Sequence, residues 1–399
     1  MKIALINNLY HPDKMGGSDV SVKILAEALR DQGHEPVIIA TTGGLTRTDK
    51  VDGITVYRLS PHNIYWSPDA QHHSPVLKSF WHLLDIYNPG MLQGIGRILR
   101  AEKPEVIQTN CLTGFSVAVW RMAKHLKIPV VCTLRDHYLL CPKTTKYKEG
   151  SRCAVSSTET CTICDLYSLP KRRMSHTVNT VVGISQFILD QHLKRGYFES
   201  AIQYVVPNPV HIDIDRKPRK GRSPVTFLYM GLLAHMKGIE YLLDSFQPGL
   251  NAELIVAGRG KSRAFEERLQ SEYAQPNISF VGFINPDEIF PKVDVLVAPS
   301  LCNEAFGRTV IEAYSQGIPV IVSNRGGLPE IVEHGKSGFI FDPAEEGTLL
   351  KFLNRFIDDP EIITQMSPYC LEKAQAFRSD NIADAYVNIY QTTLQGFPV

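Results

Sequence analysis

Two successive series of short, β-rich apolar runs, each run followed by a segment of helical periodicity, limit this chain to very few architectures. In the first half the runs are 2–8 (KIALINN), 35–40 (EPVIIA), 54–59 (ITVYRL), 105–110 (EVIQTN), 130–134 (VVCTL) and 180–185 (TVVGIS). Several scarcely alternate apolar with polar residues, as strands covered on both faces of a parallel sheet should not. Between the first two lies SDVSVKILAEALRDQG, which sets Val20, Ile24, Leu25, Ala28 and Leu29 on one helical face, with Ser18 or Asp19 as the N-cap and Gly33 as the stop. That is a βαβ unit. The second series, 225–231, 252–258, 278–282, 293–300, 319–323 and 338–342, begins after the polar, basic stretch 211–224 (HIDIDRKPRKGRSP), whose composition suits an inter-domain linker or a surface loop.

The fold class expected is therefore α/β, with two Rossmann-like doubly wound domains over residues 1–208 and 209–380. A last helical pattern over 381–399 follows the final strand and is expected to pack back on the first domain. A chain of 399 residues has the length for two such cores. Its 44% hydrophobic and 21% charged residues, with a net charge of +1, describe a globular protein and exclude a disordered or strongly nucleic-acid-binding one, so no nucleic-acid partner is expected. The apolar stretch at the start is shorter than a signal sequence needs, and no run approaches the roughly 18 apolar residues of a spanning helix. A cytoplasmic protein is expected, with peripheral membrane association left open.

Ligands of open parallel sheets bind beyond the carboxyl ends of the strands, which singles out four places. Gly16 and Gly17 stand before the first helix, where backbone N–H groups and the helix dipole suit a phosphate, although an ordinary glycine turn has the same sequence. In GLLAHMKG (231–238) a strand ends at Gly231, and Lys237 lies near the next helix, within reach of a diphosphate or merely solvated. In APSLCNEAFGRTVIEAYSQGIPV (298–320) a strand ends at Ser300 and a helix begins near Gly307. Glu304 precedes that helix and Glu312 lies inside it, eight residues apart, a spacing suited to paired hydroxyls of a sugar. A glutamate stabilised by the helix dipole plus a solvated one is the alternative.

The fourth place is a cysteine-rich insertion over 141–164, which holds Cys141, Cys153, Cys161 and Cys164, four of the eight cysteines, spaced C-x11-C-x7-C-x2-C. In a reducing compartment this cluster points to a structural zinc that orders a loop with no core of its own, with free thiols or disulfides as alternatives. Lys143, Lys146, Lys148 and the run 171–173 (KRR) nearby would attract an anionic acceptor or membrane surface, unless they are simply a solvated face.

The stretch from Asp294 to Pro343, with EAFGRTVIEA and GIPVIVSNRGGLPEIVEHGKSGFIFDP, and the upstream GLLAHMKG resemble the retaining nucleotide-sugar glycosyltransferases of family 4. That resemblance implies the B-type (GT-B) fold, two Rossmann-like domains facing an inter-domain cleft, with the acceptor side in 1–208 and the nucleotide sugar in 209–380. It implies that Glu312 binds the ribose hydroxyls, Glu304 the hydroxyls of the donor sugar, and Phe306, Gly307, Arg308 and Thr309 the sugar and phosphates. Lys237 and the Gly16 and Gly17 amides would clasp the diphosphate, so that catalysis requires no cofactor. The partners implied are a UDP- or GDP-linked sugar donor and a glycan, lipid-linked or small-molecule acceptor. Two departures stand out: Leu232 occupies the position of an expected arginine, for which Arg308 or Arg259 could substitute, and LRDHYLLCP carries Arg135 where the family has histidine, so Arg135, Asp136 and His137 share the place beside the transferred sugar. An epimerase or phosphorylase of the same fold and a non-catalytic nucleotide-sugar-binding protein are the other readings. An NAD-dependent dehydrogenase is disfavoured because no strand is followed by G-x-G-x-x-G.

Overall fold

A computed structural model describes the chain except residues 14–15, 148–161, 214–215, 261 and 398–399. In chain order the first half holds β1 (Lys2–Ile6), α1 (Gly17–Asp31), β2 (Glu35–Thr41), β3 (Arg47–Val51), β4 (Ile54–Leu59), α2 (Pro75–Leu84), α3 (Pro89–Glu102), β5 (Val106–Thr109), α4 (Ala118–His125), β6 (Val130–Leu134), α5 (Thr162–Met174), β7 (Thr180–Gly183), α6 (Gln186–Leu193) and β8 (Ile202–Val205). The second half holds β9 (Val225–Met230), α7 (Ile239–Ser245), β10 (Ala252–Ala257), α8 (Arg263–Glu272), β11 (Ile278–Gly282), α9 (Pro286–Ile289), β12 (Val295–Ala298), α10 (Arg308–Ser315), β13 (Val320–Ser323), α11 (Leu328–Ile331), β14 (Gly338–Phe341), α12 (Thr348–Asp358), α13 (Glu361–Ala374) and α14 (Ser379–Gln395). The described residues form two compact units. Unit 1 takes in Met1–Lys146, the stretch that ends at Pro209 and the tail from Ser379; unit 2 takes in Tyr147 and the stretch from Val210 to Arg378.

Unit 1 is built on a sheet of order β3-β4-β2-β1-β5-β6-β7-β8, parallel except for β3, which runs antiparallel to β4. Its central strands are buried on both faces, which explains why their sequences do not alternate. Helix α1 presents Val22, Leu25, Ala26 and Leu29 to the sheet. The same apolar cluster contains Ile382, Ala383, Tyr386, Ile389 and Tyr390 of α14, so the last helix belongs to this core. Its tyrosines also reach polar partners: Tyr386 meets the Thr133 hydroxyl at 3.2 Å, and Tyr390 donates to the side-chain carbonyl of Gln108.

Unit 2 is a fully parallel sheet of order β11-β10-β9-β12-β13-β14. Its core joins Phe227, Leu254 and Val295 of the sheet to Leu242, Phe246 and Leu353 of the covering helices. The stretch 211–224, expected as an inter-domain linker or a surface loop, follows directly on the start of unit 2 and has no buried residue among those described. Arg219 donates to the carbonyls of Phe290, Val293 and Gln316 at 2.8–2.9 Å, and Arg222 pairs with Asp294 at 2.8 Å, so part of this segment is pinned to unit 2. Among the described residues no helix is long and apolar enough to cross a membrane.

Because Tyr386 is fully buried and tied to β6, Tyr386→Ala should cost unit 1 about 3–5 kcal/mol, the usual range for truncating a large core aromatic. Urea denaturation checks this, and an unchanged midpoint would mean that α14 contributes nothing to the core.

Candidate functional site

In unit 2 the strand ends converge through main-chain contacts that only glycine permits. After β9 the chain turns at Gly238, whose φ of 72° is left-handed and where a Cβ would lie 1.9 Å from the carbonyl oxygen of Pro299. The loop after β12 answers with hydrogen bonds from the Leu301 and Cys302 amides to the Met236 carbonyl, at 3.0 and 3.1 Å. From the other side Gly326, at φ 65°, lies so close to the Glu304 backbone that a Cβ would meet its carbonyl oxygen at 2.1 Å, and the Gly327 amide donates to that oxygen at 2.8 Å. The loop bearing Glu304 is thus clamped between the ends of β9 and β13.

This clamp sets the side chains. Lys237 Nζ donates to Glu304 Oε1 at 2.6 Å, and the Ser300 hydroxyl donates to the same oxygen at 2.5 Å. Burial pulls the Lys237 ammonium down, but the Glu304 charge, the Cys302 thiol and the hydrogen bond outweigh it and hold the group above its ordinary value. Ser300 is held in turn, since its carbonyl accepts from Ser323 at 2.6 Å. Gly307 caps α10, where a side chain would strike Leu328 at 2.7 Å, and Phe306 is buried edge-on to Phe377. Arg308 and Glu312, one turn apart on α10, pair at 2.8 Å with both side chains largely buried. Burial raises the Glu312 carboxyl and Arg308 opposes it. Thr309 lies in the first turn of the same helix.

In unit 1 the helix α1 starts at Gly17 with Gly16 as its N-cap, two or three residues ahead of the expected Ser18 or Asp19. The Gly16 amide is already engaged: it donates to Asp19 Oδ2 at 2.7 Å, while Asn7 donates to Asp19 Oδ1 at 2.7 Å. Burial raises the Asp19 carboxyl, and these bonds together with the charge of Arg135 oppose it. Arg135, buried at the end of β6, donates Nε–H to Asn110 Oδ1 at 2.9 Å and a second bond to Asn208. Asn110, Thr133, Arg135, Asp136 and Tyr138 line a small pocket at this edge. The Asp136 carboxyl, raised by burial, accepts from the Tyr138 amide at 2.8 Å. His137 is buried, with its ring edge-on to Phe187 at 6.3 Å. The structure therefore places Gly16 and Arg135 at one edge of unit 1, and Lys237, Glu304 and the α10 residues together in unit 2.

The comparisons with known proteins bear on the same two halves. Residues 211–373 match the family of glycosyl transferases group 1, and residues 15–214 match Glycosyltransferase Family 4. The chain belongs to glycosyltransferase family 4. This family 4 glycosyltransferase is 31% identical over 98% of its length, and 100% of the relative's, to an uncharacterized 42.6 kDa protein in the cps region of Klebsiella pneumoniae. Its fold is similar to that of sucrose-phosphate synthase from Thermosynechococcus elongatus, with a TM-score of 0.79 at 20% identity over 99% of both chains. Anabaena HepE, solved in complex with UDP and with UDP-glucose, has a similar fold, with a TM-score of 0.70 for the UDP complex at 18% identity over 98% of this chain and 100% of that one. The fold is that of the B-type glycosyltransferases.

Within this glycosyltransferase the departure at Leu232 leaves Arg259 beside the same loop: its carbonyl accepts from Leu233 at 2.9 Å and its side chain is exposed, whereas Arg308 is committed to Glu312. Ser300 and Gly326, which hold the Glu304 side chain and backbone, are given no role by sequence reasoning; the Gly326–Gly327 pair shortly after β13 is the signal that could have found Gly326. Of the four clustered cysteines, Cys153 and Cys161 lie outside the described residues. Cys141 and Cys164 are brought together, and the hydrogen bond from Cys164 lowers the Cys141 thiol to about 6 against the opposing effect of burial. The basic run 171–173 is not one solvated face, for Lys171 is fully buried and stacks over the rings of Tyr138 and Tyr167 at 3.3 and 3.9 Å. Lys146 is also engaged, donating to Gln191 at 2.9 Å.

Gly326→Ala should push the Glu304 loop out of register at a cost of about 1–3 kcal/mol, as strain at a left-handed position predicts. Thermal denaturation reads the loss, and a variant as stable as the parent would show that the close approach to Glu304 is not maintained in solution.

Proposed function

We propose that this family 4 glycosyltransferase takes a sugar from a UDP- or GDP-linked donor and transfers it, with retention of anomeric configuration, to a hydroxyl of a glycan, lipid-linked or small-molecule acceptor. One observation carries the reading. Glu304 uses a single oxygen, Oε1, to accept from both Lys237 and Ser300, and among the described residues Oε2 receives no bond. A carboxylate fixed in this way has an acceptor ready for a sugar hydroxyl, while the ammonium beside it keeps N–H groups for a diphosphate. Glu312, held by Arg308 at 2.8 Å through Oε1, is the carboxylate proposed to receive the ribose hydroxyls.

In the transfer, the bond from the anomeric carbon to the diphosphate breaks as the acceptor hydroxyl bonds to the same face of that carbon, and the hydroxyl proton passes to a leaving-group oxygen. Lys237 and the first turn of α10 oppose the charge that develops on the diphosphate, so the proposal requires neither a metal nor a dedicated base. The complexes of HepE with UDP and UDP-glucose support a nucleotide-sugar donor, and the relative in a cps region supports a polysaccharide setting. The proposal also includes a structural zinc in the cysteine segment, supported by the approach of Cys141 and Cys164.

A panel of nucleoside-diphosphate sugars should raise the melting temperature for at least one donor, and NAD should not. Loss of the Glu312 carboxylate should weaken that donor about tenfold or more, since a hydrogen bond to a charged group contributes about 1.5–3 kcal/mol. Glu312→Ala with unchanged donor affinity, or no response to any nucleotide sugar, would overturn the reading.

A further inference from the structure

Helix α2 is amphipathic with its apolar side turned outward. Its inner side is anchored by the buried Trp81, which stacks on Tyr65 at 5.6 Å and donates to the Tyr65 carbonyl at 2.8 Å. Outward it shows Val76, Phe80, Leu83 and Leu84, each between 50% and 67% exposed, at the i, i+4, i+7, i+8 spacing of one helical stripe. Helix α5 adjoins it, with Tyr167 edge-on to His82 at 6.2 Å, and adds Ile163 and Leu166, both 73% exposed. Large apolar side chains rarely gather on a surface that meets only water.

Cations predominate on the outward faces of these helices. No acid occurs from Ala70 to Leu84, and α2 carries Lys78. Helix α5 ends in the exposed Arg172 and Arg173, and among the described residues neither they nor Lys78 form an ion pair with a carboxylate. The single acid of α5, Asp165, lies 4.0 Å from Arg195. Apolar side chains beside unpaired cations match the boundary between acyl chains and anionic headgroups. A second copy of the chain is a poor occupant, because a two-fold contact would set these cations against themselves.

We infer that unit 1 docks on an anionic lipid bilayer through the outward faces of α2 and α5, with Phe80 and Leu83 inserted among the acyl chains and Arg173 at the headgroups. The inference stands on these helices alone and is independent of the transfer reaction.

Co-sedimentation of the full chain with extruded vesicles tests it. Vesicles of phosphatidylcholine containing phosphatidylglycerol should carry the protein down, phosphatidylcholine alone should do so less, and salt should weaken the binding. Phe80→Ser with Leu83→Ser should reduce vesicle binding at least tenfold while nucleotide-sugar stabilisation persists, and Arg173→Glu should flatten the salt dependence. Phe80→Trp supplies a second readout: its emission should shift to the blue on adding anionic vesicles. No binding to either vesicle, full binding by the double serine variant, or a dimer in sedimentation velocity that this variant dissolves would each overturn the inference.

Discussion

A lysine and a glutamate 2.6 Å apart and mostly withdrawn from water are expensive to hold, because burying either charge alone carries a large desolvation cost. Unit 2 offsets that cost through geometry. Ser300 adds a donor to the same carboxylate oxygen, and the backbone of the Glu304 loop is gripped where Gly238 meets Pro299 and where Gly326 meets Glu304. Each of these approaches excludes a Cβ, so the ion pair exists because three strand ends come closer than ordinary residues allow. Removing one clamp would leave a charge buried beside a partner no longer in place.

Unit 1 uses a different device. The ends of β5 and β6 carry Gln108, Asn110, Thr133 and Arg135, a row of polar groups that would be costly inside a core without partners. They find partners in one another and in the tyrosines of α14: Gln108 donates to Thr133 at 2.8 Å, and Thr133 meets Tyr386. The last helix of the chain thus completes the polar edge of the first sheet. The nearby charge of Arg135 also acts on Asp19 at the start of α1, which links the residue that replaces the family's histidine to the turn that carries Gly16.

The buried strands were legible because their apolar runs leave no other place for them. The edge strands of unit 1 were not: β3 reads RTDKV and β8 reads IQYV, both largely exposed, so no burial pattern marks them. The stretch 211–224 read as a linker or a surface loop because its composition is polar; what pins it, the bonds from Arg219 to backbone carbonyls of distant loops, no sequence pattern displays. Lys171 likewise looked like solvated charge until two tyrosine rings enclosed it. At the site, Glu304, Glu312 and Lys237 could be picked out by type and position, whereas Ser300 acts through a hydroxyl too common to signal anything.

A crystal structure of the chain with the donor that stabilises it, or with its nucleoside diphosphate, examines the central claim most directly. The account predicts a diphosphate oxygen within hydrogen-bond distance of Lys237 Nζ and the ribose hydroxyls on the Glu312 carboxylate, with the Lys237–Glu304 contact retained. A nucleotide bound elsewhere, with the Glu304 and Glu312 carboxylates still turned only to Lys237 and Arg308, would contradict it.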